Sequence, residues 1–147
     1  KRALCISDNN ICVDLERYQG FRDGFNTGEV EFVLIPMRKE ERWEFYQKNH
    51  SLLETVTCVF AVSDYYAMDL IHFLQKQGLV VPDQISVAGF DDSPMCQLVC
   101  PPLTSARQDG ALRAKIAIEK LRELKEKKEI ETEIRLPVSL VVRESTK

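Results

Sequence analysis

Histidine is scarce in this sequence. There are two in 147 residues, His50 and His72. Both fall in segments whose spacing predicts helix, away from strand ends, and neither has a nucleophile partner, so Ser–His and Cys–His chemistries have no starting point. The glycine-rich phosphate and dinucleotide motifs and the G-x-S-x-G elbow are missing as well. No apolar run approaches the roughly 18 residues a membrane helix needs. The start, Lys1 to Ile6, is too short and too soon polar for a signal peptide. The five cysteines form no CxxC pair, and the closest two, Cys96 and Cys100, are separated by three residues. They read as reduced, packed thiols of a cytosolic protein, not as a disulfide framework or metal site. An excess of positive charge is also lacking. The net charge is -3, which leaves no basic footprint for nucleic acid.

What is present is an alternation. Apolar residues make up 44% of the chain and charged residues 29%, the balance of one ordinary soluble domain. Residues 3–6 form an apolar run that ends in Ser7-Asp8-Asn9-Asn10. Val13, Tyr18, Phe21 and Phe25 recur at near-helical spacing, with Gly28 as a stop. EFVLIP (31–36) reads as a second strand. Residues 40–53 predict a helix with Trp43, Tyr46 and Leu53 on one side. TCVFAVS (57–63) is a third strand. A helix marked by Ala67, Leu70, Ile71 and Leu74 ends at Gly78, and residues 85–90 make a fourth strand. Continuous apolar strands separated by helices predict an α/β fold: an open, mostly parallel sheet with helices on both faces. Residues 103–108 predict a short strand. Asp109 is placed to cap a long helix with the stripe Leu112, Ile116, Leu121 and Leu124. Residues 134–143 predict a last strand, kept at an edge by Pro137.

Ligands of such sheets bind beyond the carboxyl ends of the strands. Those ends carry Ser7, Asp8 and Asn9, then Met37 and Arg38 with Trp43 soon after, then Ser63 and Asp64, then Asp91 and Asp92. Arg17 lies near the start of the first helix, at the same edge. Carboxylates, a guanidinium, hydroxyls and an indole suit a polyhydroxylated ligand. Each residue also has a plainer role open to it. Ser63 or Asp64 can cap a helix, Asp92 before Ser-Pro fits a turn, Arg17 can be a solvated helix residue, and Trp43 can belong to the core. Asp91, directly after a buried strand, is the strongest site candidate. Asp91 and Asp92 are sequence neighbours that point apart, which is poor geometry for an acid–base pair.

Four motifs occur together: the SD of Ser63-Asp64, GLVVPDQISVAGFDD (78–92), PPLTSARQD (101–109) and LPVSLVVRES (136–145). With ERYQGFRDGF (16–25), they make nearly the whole chain resemble the effector-binding part of the LacI/GalR regulators. The resemblance implies a periplasmic-binding-protein-like fold in which two α/β subdomains close on an effector. Here that fold is expected to be incomplete, because the N-terminal subdomain is largely absent. It implies that 1–102 is the C-terminal subdomain, that 103–130 is a crossover strand and helix normally packed in the N-terminal subdomain, and that 131–147 is the returning strand. Family ligand contacts fall on Arg17, Ser63 and Asp91, with Trp43 matching a stacking aromatic. Many members carry Asn where Ser63 stands. The resemblance further implies a cytoplasmic homodimer whose interface takes Met68, Ile71, His72, Cys96 and Val99. Its partners would be a small sugar-like effector and operator DNA, the latter only through an N-terminal helix-turn-helix outside this sequence. No cofactor, metal or enzymatic activity is expected. The alternatives are a sugar-binding protein of a transport system and a small sugar-modifying α/β enzyme.

Overall fold

The structure is a computed structural model that describes residues 2–26 and 28–147. Lys1, which opens the 1–102 segment, and Thr27 lie outside the described residues. The strands are β1 (Arg2–Ser7), β2 (Glu29–Leu34), β3 (Cys58–Ala61), β4 (Ser86–Asp91), β5 (Thr104–Gln108) and β6 (Val138–Val141). Between them lie α1 (Cys12–Gly24), α2 (Lys39–Lys48), α3 (His50–Thr55), α4 (Asp64–Lys76) and α5 (Gly110–Lys125), with a 3₁₀ turn over Pro94–Gln97. One sheet runs in the order β2-β1-β3-β4-β5-β6. Its first five strands are parallel, and β6 pairs antiparallel with β5 at the edge.

Chain direction explains the layers. The step from β1 to β2 goes one way along the sheet, and the next two steps go the other way. Right-handed crossovers then put α1 on one face and α2, α3 and α4 on the other. The central strands are covered on both sides: Ala3 to Ser7 and Val59 to Ala61 are buried. α4 turns Leu70, Ile71, Phe73 and Leu74 wholly into the core. It stops where Gly78 adopts φ +78°, a left-handed conformation that glycine enters without steric cost.

Several expectations need correction. The single helix over 40–53 is two helices, broken at Asn49, whose backbone leaves the helical region (φ −108°, ψ 23°) while its side chain and N–H both donate to the Phe45 carbonyl, at 2.8 and 3.0 Å. The last strand shrinks to Val138–Val141 and begins just after Pro137, which cannot donate to a ladder. Cys12 and Cys100 are exposed, not packed. Asp109 does cap α5, accepting from the Leu112 N–H at 2.9 Å. α5 nevertheless buries no residue, and Ile118, Leu121 and Leu124 stand in solvent.

One buried ion pair joins the layers on the α2–α4 face. Arg42, 0% exposed, donates through Nε to Asp69 Oδ2 at 2.7 Å and through Nη1 to the carbonyls of Pro36 and Met37 at 3.1 and 2.8 Å. The loop after β2 is thereby tied to α4. A buried guanidinium and carboxylate satisfy each other here, and removing one leaves the other charged in a dry site. Arg42→Ala should therefore destabilise the fold by about 3–5 kcal/mol. Replacing both Arg42 and Asp69 with apolar residues should cost less than the single change. Urea denaturation of the three proteins checks this.

Candidate functional site

The carboxyl ends of β1, β3 and β4 meet around Arg17. Ser7 Oγ, at the end of β1, donates to Asp14 Oδ2 at 2.7 Å, and Asp14 Oδ1 lies 3.5 Å from Arg17 Nη1. The same Nη1 donates to the Val62 carbonyl beyond β3 at 2.9 Å. The guanidinium lies over the Phe90 ring of β4, 4.2 Å from its centroid. Arg17 is thus a fixed residue, not a solvated one. Among the described residues only its Nη1 is engaged, so the rest of the fork is available to a ligand. Beside it, Asp8 hydrogen-bonds Tyr66, and burial together with that bond pushes the Tyr66 hydroxyl up to about 12.

Asp91 ends β4 with φ +113° and is exposed. Its Oδ1 accepts from Gln108 Nε2 of β5 at 2.7 Å. Its side chain stays in water while its backbone sits in the region that non-glycine residues rarely enter. Ser63 is half-buried at the N-terminus of α4, makes no side-chain cap bond, and accepts from the Ala67 N–H through its carbonyl at 3.2 Å. Trp43 is not brought to Arg17 and Asp91. It packs between α2 and α4, donates Nε1–H to Asp69 Oδ1 at 3.0 Å, and meets His72 and Phe73 edge-on. Its packing is that of a core residue.

The interface candidates also divide. Ile71 and Cys96 are both 0% exposed, locked into the core behind α4, and cannot meet a partner. Burial, with a bond to Asp64, pushes the Cys96 thiol up to about 11. Met68 and Val99 are half-buried and His72 is exposed. Tyr65, Met95 and Leu98 stand out around them at 54%, 54% and 75% exposure.

Sequence reasoning missed the polar framework behind the site. Asp92 is a turn residue with φ +54°, and it is also the hub of an ion-pair cluster. Its Oδ1 accepts from Arg143 Nη2 and its Oδ2 from Arg107 Nε, both at 2.6 Å. Its N–H donates to Ser105 Oγ at 3.0 Å. Ser105 Oγ in turn donates to the buried Asp64 at 2.5 Å, and the Ser93 N–H donates to the other Asp64 oxygen at 2.6 Å. The signal was present in the paired acids after β4 and in arginines 15 and 51 residues downstream. Only the fold brings them together. Below this framework, on the α1 face, runs an apolar groove of about 710 Å³ lined by Phe60, Ala88, Phe90, Ala106 and Leu140, reaching Arg17 and Gln108 at its rim. Among the described residues no three His, Cys, Asp or Glu side chains converge to hold a metal ion, and no helix is long and apolar enough to cross a membrane.

A parallel sheet with a polar ligand edge and an antiparallel edge strand defines a class. Residues 1–146 match the family described as the periplasmic binding protein-like domain. The chain belongs to that family, within its LacI/GalR branch. It is 31% identical to the HTH-type transcriptional regulator DegA of Bacillus subtilis over 98% of the chain and 44% of that protein. It is 30% identical to the ribose operon repressor of Halalkalibacterium halodurans over 90% of the chain and 41% of that protein. It superposes with a TM-score of 0.84 and 25% identity on a periplasmic binding protein/LacI transcriptional regulator from Alkaliphilus metalliredigens complexed with D-xylulofuranose, covering 99% of the chain and 57% of the regulator. The chain thus spans under half the length of these two curated relatives.

The Asp92 cluster carries a pH signature. Burial pushes its carboxyl up, but the bonds from Arg143 and Arg107 outweigh burial and hold it below the usual carboxylate range. A lowered folded-state value contributes stability that is present above about pH 4 and lost as the pH falls further. Urea midpoints from pH 7 to pH 3 should decline more steeply in the parent than in Asp92→Asn. Parallel curves would show that Asp92 contributes nothing to acid sensitivity.

Proposed function

We propose that this chain is the larger part of one wall of an effector cleft in a DNA-binding transcription regulator, and that it senses a small sugar-like molecule. One observation carries the reading. Arg17 is pinned over Phe90 with most of its fork unused, at the same sheet edge as the exposed Asp91 carboxylate. A forked donor and an acceptor at one edge match vicinal hydroxyls, and the Phe90 ring supports the guanidinium from below. Both Asp92 oxygens are taken up by guanidiniums, so neither is free to give or take a substrate proton, which favours binding over acid–base catalysis. All six strands form this wall: β5, expected from the family resemblance to pack in the other subdomain, pairs here between β4 and β6, so only the segment after it (109–130) carries the chain toward the opposite wall. The unburied α5 supports that division. Operator DNA is gripped by a part of the regulator outside this sequence.

The test is calorimetry on the full-length regulator with D-ribose, D-xylulose and a wider set of mono- and disaccharides. A hydrogen bond to a charged group is worth about 1.5–3 kcal/mol. Arg17→Ala and Asp91→Ala should each weaken the best sugar by about ten- to a hundred-fold, with operator affinity in the absence of sugar unchanged. Trp43→Phe should leave sugar affinity within about two-fold, as a packing residue does, while lowering stability. Sugar affinity unchanged in Asp91→Ala overturns the assignment of the edge.

Self-association through α4 and the 3₁₀ turn belongs to the same reading. Tyr65, Met68 and His72 lie on α4, and Met95, Leu98 and Val99 on or just after the 3₁₀ turn, all six exposed or half-buried. A two-fold interface requires its surface to complement itself. Light scattering at tens of micromolar should give a dimer for the parent and a monomer for Met68→Asp.

A further inference from the structure

Two consecutive non-glycine residues, Asp91 and Asp92, hold positive φ angles of 113° and 54°. Such backbone persists only where the surroundings over-determine it. The restraints on the two residues are unequal. Among the described residues Asp91 has one side-chain bond, to Gln108, on an exposed surface, and its backbone ends the β4–β5 ladder opposite Arg107. Asp92 is held at its N–H and at both side-chain oxygens. Its N–H is taken by Ser105, and its two oxygens are taken by Arg143 and Arg107. The next residue, Ser93, is fixed through its N–H to Asp64. The side chain of Asp92 is 5% exposed and that of Arg143 is 12%.

We propose that Asp92 is a positioning residue. Clamped between the two arginines, it sustains the left-handed pair and thereby aims the Asp91 carboxylate along the sheet edge. The inference rests on the reading of Asp91 as an effector contact, and it adds where the aim of that contact comes from. The partners of Asp92 lie on different segments: Arg107 on β5 and Arg143 just beyond β6. These are the two strands at the far side of the sheet. A small displacement of either pulls on Asp92, and through the backbone on Asp91. A two-armed ion pair serves this purpose better than a neutral bond, because charge-assisted bonds are short and directional. Without it the two residues are free to relax toward negative φ, which turns Asp91 away from Gln108.

The experiment begins without any sugar, on the chain as it stands. The Gln108 side-chain amide reports directly on the Asp91 carboxylate, and ¹⁵N-resolved spectra of Asp91→Ala give its unbonded position. In Asp92→Ala the Gln108 signals should move most of the way to that position, with the backbone amides of β1 and β3 unmoved. Asp92→Asn keeps the shape and tolerates positive φ but loses the charge, and it should move Gln108 part of the way. It also serves as the readable variant if Asp92→Ala does not fold. A Gln108 amide that stays in its parental position in either folded variant overturns the proposal.

Binding supplies the second arm, in the full-length regulator, with D-ribose and D-xylulose as probes. Asp92→Asn should weaken a sugar that binds by about ten-fold in the parent background and by less than about two-fold in the Asp91→Ala background, since the effect passes through Asp91. A general loss of stability would lower affinity equally in both backgrounds, and that result also overturns the proposal. If neither sugar binds the parent while Gln108 responds as expected, the positioning role stands and the effector reading falls.

Discussion

A buried carboxylate that meets no cation among the described residues holds this sheet edge together. Asp64 opens α4, is 3% exposed, and is satisfied by Ser105 Oγ and the Ser93 N–H. An uncompensated buried charge is costly, so its acceptors must be filled, and the elements that fill them are drawn to one point. Glycine makes the approach possible. A Cβ on Gly89 would lie 2.5 Å from Asp64 Oδ1 and 3.2 Å from its Cα, so only a residue without a side chain lets β4 pass beneath the start of α4. From this contact follow the place of the turn after β4, the pairing of β4 with β5, and the location of Asp91 and Asp92. Arg42 and Asp69 play the corresponding part for the loop after β2. The two sites differ in kind, one a cation and anion and the other an anion met by a hydroxyl and an amide, but both convert a buried charge into a fixed loop.

The pattern of hydrophobicity revealed the sheet well because its central strands are buried on both faces. Apolar runs such as 57–63 have little other use in a small domain. The edges were less legible. β6 is four residues because pairing with a single neighbour and a proline at its start leave little to stabilise more. The break at Asn49 is a local turn of the backbone, with the residue's side chain and N–H both on the Phe45 carbonyl, which no periodicity registers. In the site, the rule that ligands bind at strand ends placed Arg17 and Asp91 together. It failed for Trp43, because the first turns of a helix after a strand can point along the sheet as easily as beyond it. Here Asp69 offered the indole N–H a buried acceptor. The interface implied by the family resemblance included Ile71 and Cys96, which are wholly buried here. Residues three or four apart share a helical face, but the spacing does not say which face is outermost.

The residues hidden from sequence reasoning share one property. Asp92 and Arg143 are separated by 51 positions, Asp64 and Ser105 by 41, and Arg42 and Asp69 by 27. Polar pairs at such distances leave no local pattern, unlike an apolar stripe or a capping residue. The motifs that made the family resemblance specific, the paired acids after β4 and the Arg-Glu-Ser near the end, contain the two halves of one cluster. Short strings can therefore be read as parts of a single three-dimensional lock.

Ser145 illustrates how far that lock reaches in time as well as space. Its hydroxyl donates to the Val87 carbonyl at 2.6 Å and accepts from the Thr104 N–H at 2.8 Å, while its carbonyl takes the Val87 N–H at 2.8 Å. Two adjacent strands are thus stitched by a residue made some forty to sixty positions after them. During synthesis, β4 and β5 emerge from the ribosome before residue 145 is made, and water must occupy the Val87 and Thr104 backbone groups until it arrives. The direct β4–β5 ladder from Ala88 to Asp91 needs no help from residue 145, but its first rung, at Val87 and Thr104, is sealed only once that residue is free of the exit tunnel. A pause in translation before that point would leave the ladder formed but frayed at one end, with three backbone groups of two strands still in water.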